Sequence, residues 1–395
     1  MSRSHSNGRR LPIFIDGVVY GFQTYGGINT FFNEVLSRLS QRPEVSIAIQ
    51  LPGACAGQLP EMPARIWQPP LPKETGLSWK LDQVAKPVLQ WANDLARKVR
   101  LRQFFRGTWP YVFQSTYFTL STEKVPQVGL ALDMNHEIFV EFFQNDWGQW
   151  LRRQYREYLQ RATRIIAISQ NTKQDVIRIY RIPSDNIDVV YLAVDRDVFR
   201  AQQSKEVVEA RRTLTHDCEP YILFLGRRDG YKNFDRLLEA FGRASIKNRV
   251  CLVVVGTPWQ SGESRRIRDL GLESRVRLVA HPSDQLLAAL YNGALAFIYP
   301  SLGEGFGIPL LEAMACETLV LAADIPVFRE VAGEAAIYFD PYRPEDIVRV
   351  LEIAVTGCAK NEYISRGMRQ VSKYSWDKCA DQMYGVYGKA LASWR

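Results

Sequence analysis

The chain has 395 residues, 46% of them apolar and 23% charged, with a formal net charge of +8. That length is too great for one ordinary core and suits two domains. No apolar run approaches the ~18 residues of a membrane span, and the polar, basic stretch Met1 to Arg10 lacks the apolar centre of a secretion signal and reads as a disordered lead-in.

In chain order, Pro12–Ile15 reads as a strand that leads to Gly26-Gly27 and a helix through Leu39. Val45–Leu51 is a further strand, and the Pro- and Gly-rich stretch 52–76 reads as loop. Tyr111–Gln114, Val128–Leu132, Arg164–Ile168 and Ile187–Tyr191 follow as strands, with helices over Trp147–Arg161 and Thr172–Tyr180. A polar join lies near 196–206. Beyond it, strands at Tyr221–Leu225, Val250–Val255, Arg275–Val279, Ala294–Tyr299, Thr318–Ala322 and Ala335–Phe339 alternate with helices at Phe234–Ala244, Asp284–Tyr291, Pro309–Ala315 and Pro344–Val355. Continuous apolar strands separated by amphipathic helices predict parallel sheets covered on both faces. The fold class is α/β: two doubly wound halves facing a cleft at the carboxyl ends of their strands.

The excess charge is uneven. Residues 1–205 hold 26 Lys/Arg against 18 Asp/Glu, and residues 206–395 hold 24 of each. Between 86 and 106, Lys86, Arg97, Lys98, Arg100, Arg102 and Arg106 alternate with Leu95, Val99, Leu101, Phe104 and Phe105. This run has two readings, a solvated helix face or a surface resting on an anionic membrane. It contains no recognisable nucleic-acid motif. The six cysteines (55, 218, 251, 316, 358 and 379) have no close pairing and read as reduced thiols of a cytoplasmic protein.

Residues 304–312, Glu-Gly-Phe-Gly-Ile-Pro-Leu-Leu-Glu, sit between a predicted strand and helix. A glycine turn at a helix mouth offers free N–H groups and the positive dipole end to a phosphate. Glu304 and Glu312 would repel that phosphate, so their natural partners are sugar hydroxyls. Together these point to a nucleotide sugar. A second segment, Gly226-Arg227-Arg228-Asp229-Gly230-Tyr231-Lys232-Asn233, also follows a strand and opens a helix. Its Arg and Lys can neutralise a pyrophosphate; by itself it reads rather as a charged surface loop, and the Glu304–Glu312 segment at the same sheet edge turns the reading to phosphate. Tyr25-Gly26-Gly27-Ile28-Asn29 is either a backbone approach to a ligand or a plain tight turn. Asp195-Arg196-Asp197 spells a pattern that holds metals elsewhere, but a lone carboxylate pair far from the phosphate loop reads as structural. The cations at 228 and 232 make a metal unnecessary, and no other cofactor is implied.

These motifs resemble those of the family 4 retaining glycosyltransferases of the GT-B fold, built from two Rossmann-like domains. The resemblance covers nearly the whole chain and implies an N-terminal acceptor-side domain over 1–205 and a nucleotide-sugar domain over 206–374, with the helix 375–395 returning onto the first. It implies that Glu312 holds the donor ribose and Glu304 the transferred sugar. Arg228 and Lys232, with Arg227 a further candidate, would bind the pyrophosphate, and Gly305, Phe306 and Gly307 would touch it through backbone N–H groups. Ala280 and His281 would flank the base, and Gly26 and Gly27 would close over the phosphates. Relatives often carry His-Asp after the strand matched by Val128–Leu132; here the histidine position is Leu132, followed by Asp133. Either His136 takes over, or backbone and Asp133 fill the role, or the enzyme does without it. The implied reaction moves a sugar from a nucleoside-diphosphate donor, with a lean to GDP-sugars, to a hydroxyl of a glycan or lipid-linked acceptor, at the inner face of the cell membrane or free in the cytoplasm. A nucleotide-sugar epimerase, a phosphorylase or a non-catalytic membrane-surface protein on the same fold are the alternatives.

Overall fold

The computed structural model describes residues 10–23, 26–51, 55, 59, 65–67, 99, 101–105, 110–202, 204–216, 220–228, 230–357 and 360–394. Two parallel sheets organise them. The first holds β1 (Leu11–Asp16), β2 (Val45–Gln50), β3 (Arg65–Trp67), β4 (Val112–Ser115), β5 (Gln127–Ala131), β6 (Arg164–Ala167) and β7 (Ile187–Val189) in the order β3-β2-β1-β4-β5-β6-β7. The second holds β8 (Tyr221–Leu225), β9 (Cys251–Gly256), β10 (Val276–Ala280), β11 (Ala296–Tyr299), β12 (Leu319–Ala323) and β13 (Ala336–Phe339) in the order β10-β9-β8-β11-β12-β13.

The central strands of the second sheet are apolar at every position because helices cover both faces: all of β11 and β12 is buried. The helices bury one stripe each. Phe234–Arg243 turns Phe234, Leu237, Leu238 and Phe241 inward at three- and four-residue spacing. Strand order reverses between β1 and β4 and again between β8 and β11. At such a point successive connections leave to opposite faces and a crevice opens at the strand carboxyl ends. The loops after β8 and β11 are the two motif segments, so both flank one crevice.

The helix Trp376–Ser393 crosses from the second sheet to the first and packs on the helix Gly27–Ser40. It buries Trp376, Cys379, Ala380, Met383, Val386, Tyr387 and Ala390, while Arg38 pairs with Asp377 at 2.8 Å and Arg42 pairs with Asp381.

Several elements differ from the sequence reading. β3 lies inside the stretch read as loop; a three-residue edge strand needs only backbone pairing with β2, which composition does not mark. A helix begins at Lys205, inside the polar join, and another, Lys360–Val371, precedes the last. Cys251 is disulfide-bonded, not a reduced thiol, with a partner outside the described residues. Pairing follows from spatial approach, which sequence spacing does not report. Of the basic stretch 86–106, only Val99 and residues 101–105 are described: Leu101 and Phe105 are buried and Arg102 is exposed. Its other basic residues, Lys86, Arg97, Lys98, Arg100 and Arg106, lie outside the described residues.

Apolar packing of the returning helix outweighs its exposed ion pairs. Met383→Ala is expected to cost about 2–5 kcal/mol, and Asp381→Asn no more than about 1 kcal/mol, as read by chemical denaturation.

Candidate active site

The loop after β11 is shaped by glycines. Gly307 caps the helix Ile308–Ala315 at φ +98°, where a Cβ would also come within 3.1 Å of Leu310 and Phe328. Pro309 follows in the first turn, where no N–H is needed. Gly305 has a stricter reason: a Cβ there would lie 1.7 Å from the backbone oxygen of Leu132, just past β5. The two halves of the molecule touch at this point. Two further hydrogen bonds cross nearby, from Asn135 Nδ2 to Gly303 O (3.3 Å) and from Thr172 Oγ1 to Gly305 O (3.3 Å).

Beside this contact Lys232 Nζ donates to Glu304 Oε1 at 2.6 Å, with side-chain exposures of 16% and 12%. Burial would lower the Lys232 pKa, but Glu304, Tyr231 and Asp133 more than offset it, and the ammonium is held above its ordinary range. Asp133, from the first half, faces the same pair. Burial and then the Glu304 charge raise its pKa, against the Asn135 N–H and Lys232, which lower it. Two carboxylates from opposite halves thus share one lysine.

Arg228 is placed differently. Its side chain is 2% exposed and makes a two-point pair with Glu263, Nε to Oε1 at 2.7 Å and Nη2 to Oε2 at 2.9 Å. Nη2 also donates to Pro258 O at 3.1 Å, and the guanidinium lies 4.8 Å above the Trp259 ring. Nη1 has no hydrogen-bond partner among the described residues and lies against Gly256. Arg227 is exposed. Both arginines line a cavity of about 820 Å³ with Thr257, Gln260, Glu263 and Arg266. Asp229 lies outside the described residues.

An aromatic stack ties the phosphate-loop segment to the first half. The Tyr231 ring is near-parallel to Phe139 (5.8 Å, 11°) and to Phe143 (6.1 Å, 22°). Phe142 lies under Gly230, which sits at φ +55° and where a Cβ would meet that ring at 3.0 Å.

The remaining candidates divide. Glu312 is one turn into its helix, its Oε2 accepting from Tyr291 OH at 2.9 Å; burial raises its pKa to about 7. Tyr299 lies within the electrostatic reach of both Glu304 and Glu312. Phe306 is buried between Tyr191 and Tyr374. Ala280 and His281 are exposed where β10 ends, with His281 at φ +48°. Gly27 faces Ile308 of the other half, where a Cβ would sit 3.8 Å from its Cδ1, and Gly26 caps the helix at φ +151°. Tyr25 lies outside the described residues. His136 is buried, 3.3 Å from Tyr180 OH and edge-on to Tyr155; burial and then Arg152 lower its pKa to about 4. Asp195 accepts from the Asp197 N–H at 2.9 Å, and among the described residues no three His, Cys, Asp or Glu side chains converge for a metal.

Sequence reasoning passed over several groups here. Glu263 and Trp259, which immobilise Arg228, carry no motif. Glu330 caps a helix of the opposite half, accepting from the N–H groups of Gln170 (2.6 Å) and Asn171 (2.9 Å). At the crossover of the first sheet Thr119 Oγ1 donates to Asp16 and lies 2.6 Å from Ser115 Oγ. The end of a first strand at a crossover was the available clue to Asp16.

With two doubly wound sheets and a cation–carboxylate cluster where they meet, the architecture is that of a GT-B transferase. The family model described as "Glycosyltransferase Family 4" matches residues 25–198, and "Glycosyl transferases group 1" matches residues 208–371. The chain belongs to this glycosyltransferase family. It is 25% identical over 307 residues to O-antigen chain mannosyltransferase B of Escherichia coli, covering 76% of this chain and 80% of that one. To the serotype-specific mannosyltransferase WbdA of Escherichia coli it is 32% identical over 262 residues, 65% of this chain and 31% of that protein. Among solved structures, Anabaena HepE in complex with UDP and glucose superposes with a TM-score of 0.70 at 17% identity, over 95% of this chain and 99% of that one. WaaG, a glycosyltransferase involved in lipopolysaccharide biosynthesis, does so at 0.68 and 16%, over 94% and 98%. At such identities these structures show the fold.

The Leu132–Gly305 contact leaves no room for a methyl group. Gly305→Ala is expected to push the halves apart by at least an ångström and cut turnover by about 100-fold. Steady-state kinetics beside a thermal melt would separate this from unfolding.

Proposed function

We propose that the cleft transfers a sugar from a nucleoside-diphosphate donor to a hydroxyl of a growing glycan, with retention at the anomeric carbon. The observation that carries this is the Lys232–Glu304 pair at 2.6 Å, set beside the open helix end at Gly305–Gly307 and facing Asp133. Lys232 binds the diphosphate, and the backbone N–H groups at Gly305, Phe306 and Gly307 add the helix-end field. Glu304 holds hydroxyls of the transferred sugar, Glu312 those of the ribose, and Ala280 and His281 flank the base. Gly26 and Gly27 approach the phosphates from the facing half.

The phosphate-binding arginine is Arg227 in this reading, and Arg228 is its support. A buried guanidinium already engaged at two points is costly to release, whereas Arg227 is exposed on the same cavity. His136 is a positioning group held between Tyr155 and Tyr180. Asp133 and the Leu132 backbone occupy the place beside the reacting carbon. The departing phosphate, held by Lys232 and Arg227, takes the acceptor proton as an oxocarbenium-like state forms, so the rate comes from positioning and electrostatics. The mannosyltransferase relatives support mannose as the sugar; the GDP-linked form of the donor is our own choice, and a nucleoside-diphosphate panel decides between it and the UDP found with HepE. The acceptor is a lipid-linked glycan met at the inner membrane face.

Two measurements test these roles. With its pKa at about 7, Glu312 accepts ribose hydroxyls best when ionised. Affinity for a nucleoside diphosphate is therefore full above that value and weakens as the pH falls through it, over about pH 8 to 6. The effect on folding has the opposite sign: a raised carboxyl pKa favours the fold at low pH, and that contribution fades as the pH rises through 7. Calorimetric titration of a nucleoside-diphosphate panel with Glu312→Gln should show weaker binding with little pH dependence; an unchanged pH profile would remove the ribose role. Arg227→Ala should lower kcat/KM by about 100-fold at near-native stability. Arg228→Ala, which removes the two-point pair and leaves Glu263 with its helix-capping bond from the Gln260 N–H, should cost about 3 kcal/mol. A fully stable but inactive Arg228→Ala protein would reverse the assignment.

A further inference from the structure

The strands of the first sheet run parallel, so the loops that leave β1, β4 and β5 lie side by side at one edge, in that order. The β5 loop carries Leu132, which meets Gly305, and Asp133. The other two loops are bonded to each other. Thr116 Oγ1 accepts from the Val19 N–H at 3.1 Å and donates to Asp16 O at 2.7 Å. Ser115 Oγ accepts from the N–H groups of Tyr117 (3.0 Å) and Thr119 (2.9 Å), and Thr119 Oγ1 donates to the Asp16 carboxylate.

Within this frame one residue is held in an unfavourable conformation. Phe118 lies at φ +56°, the left-handed region that a bulky side chain rarely adopts. Such strain persists only where the surroundings enforce it, and it concentrates at ligand sites. Tyr155 (4.6 Å, 80°) and Tyr158 (5.8 Å, 61°) hold the Phe118 ring edge-on. Their hydroxyls also accept the N–H groups of Leu132 (3.0 Å) and Leu130 (2.9 Å). One pair of tyrosines thus fixes both the Leu132 contact and the turn at Phe118. That turn sets the Tyr117 ring against Phe118 at 4.4 Å, and at 71° to the ring of Phe22, 4.8 Å away. Phe22 is 56% exposed and Tyr117 is half-buried. The two rings make an open corner at the strand ends. Adjacent strands lie about 5 Å apart, so the corner stands one strand away from the β5 loop. Asp133 is within electrostatic reach: after burial, its charge raises the Tyr117 pKa.

Charge decides what such a corner can hold. Residues 16–23 and 115–123 contain no lysine or arginine, and their charged side chains are Asp16 and Glu123. A phosphate or a lipid diphosphate would meet no counter-charge from these loops. A wholly apolar ligand would strip water from Asp16 with nothing in exchange. A neutral sugar ring satisfies both demands. Its C–H face lies on an aromatic ring, and its hydroxyls reach carboxylate and hydroxyl oxygens.

We propose that the corner formed by Phe22 and Tyr117 seats the terminal sugar ring of the acceptor by its apolar C–H face. The acceptor role rests on the transfer reaction proposed above; the binding is measured without turnover. Saturation-transfer NMR on the full chain, with the aromatic protons irradiated, reads the contact. The probes are the methyl α-glycosides of mannose, glucose and N-acetylglucosamine, each with and without GDP. Saturation is expected on ring C–H protons of at least one glycoside. Phe22→Ser should lower it by about fivefold, and Phe22→Trp should retain it. Tyr117→Leu, which keeps apolar volume and removes the ring, should behave as Phe22→Ser does. Thermal melts matching the wild type confirm that the variants are folded. Absence of saturation on every glycoside overturns the proposal, and so does undiminished transfer in both Phe22→Ser and Tyr117→Leu. Calorimetry with GDP and UDP separates this platform from the donor site. Loss of nucleotide affinity in Phe22→Ser would give the ring to the donor and overturn the proposal. A wild type that takes a glycoside through these rings but binds neither nucleotide would instead sink the donor reading and leave the sugar platform standing.

Discussion

The backbone oxygen of Leu132 and the missing side chain of Gly305 decide how closely the two halves meet. Backbone against backbone is a hard contact: neither atom has a rotamer to change, so the spacing is set by van der Waals radii. Everything chemical follows from that spacing. Asp133, one residue on from the contact, comes within electrostatic reach of Lys232 and Glu304 only because Leu132 sits flush against the glycine turn. A side chain at position 305 would leave each residue in place within its own half and remove the cluster they form together.

That cluster has a characteristic balance. Its two carboxylates repel, and Lys232, paired with Glu304 and within electrostatic reach of Asp133, lowers the cost of holding both in a poorly solvated place. On the proposed roles, a diphosphate entering there would compete with Glu304 for Lys232 and free the glutamate for hydroxyl groups, so one ion pair would prepare both partners for different parts of one ligand. Arg228 and Glu263 follow another logic. They are matched, two-pointed and enclosed beside Trp259, an arrangement suited to holding a loop still.

Much was legible in the residue order. Strand and helix alternation, the two sheets and the segments at Gly226–Asn233 and Glu304–Glu312 could be read because period and glycine placement are local properties. Less legible were β3, whose three residues carry no compositional mark, and the disulfide at Cys251, which depends on spatial approach and not on spacing. Adjacent arginines at 227 and 228 are indistinguishable in sequence. Only the chain direction after Gly226, which turns one inward to Glu263 and leaves the other exposed, separates them. His136 stands four residues past the strand end in sequence, yet the short helix Asn135–Ile138 carries it into a tyrosine cluster of the first half.

The order of residues by itself determined the fold class, the phosphate- and hydroxyl-seeking chemistry of the two motifs and the uneven charge, because these depend on periodicity, on backbone freedom at glycine and on composition; the transferase reading came from the resemblance of those motifs to a family. Tertiary structure alone decided which acid from one half faces which lysine from the other, which arginine is enclosed, and which aromatic rings lie between the halves or face outward. Those are distances between residues far apart in the chain, and such distances are set only when two separately readable sheets pack together.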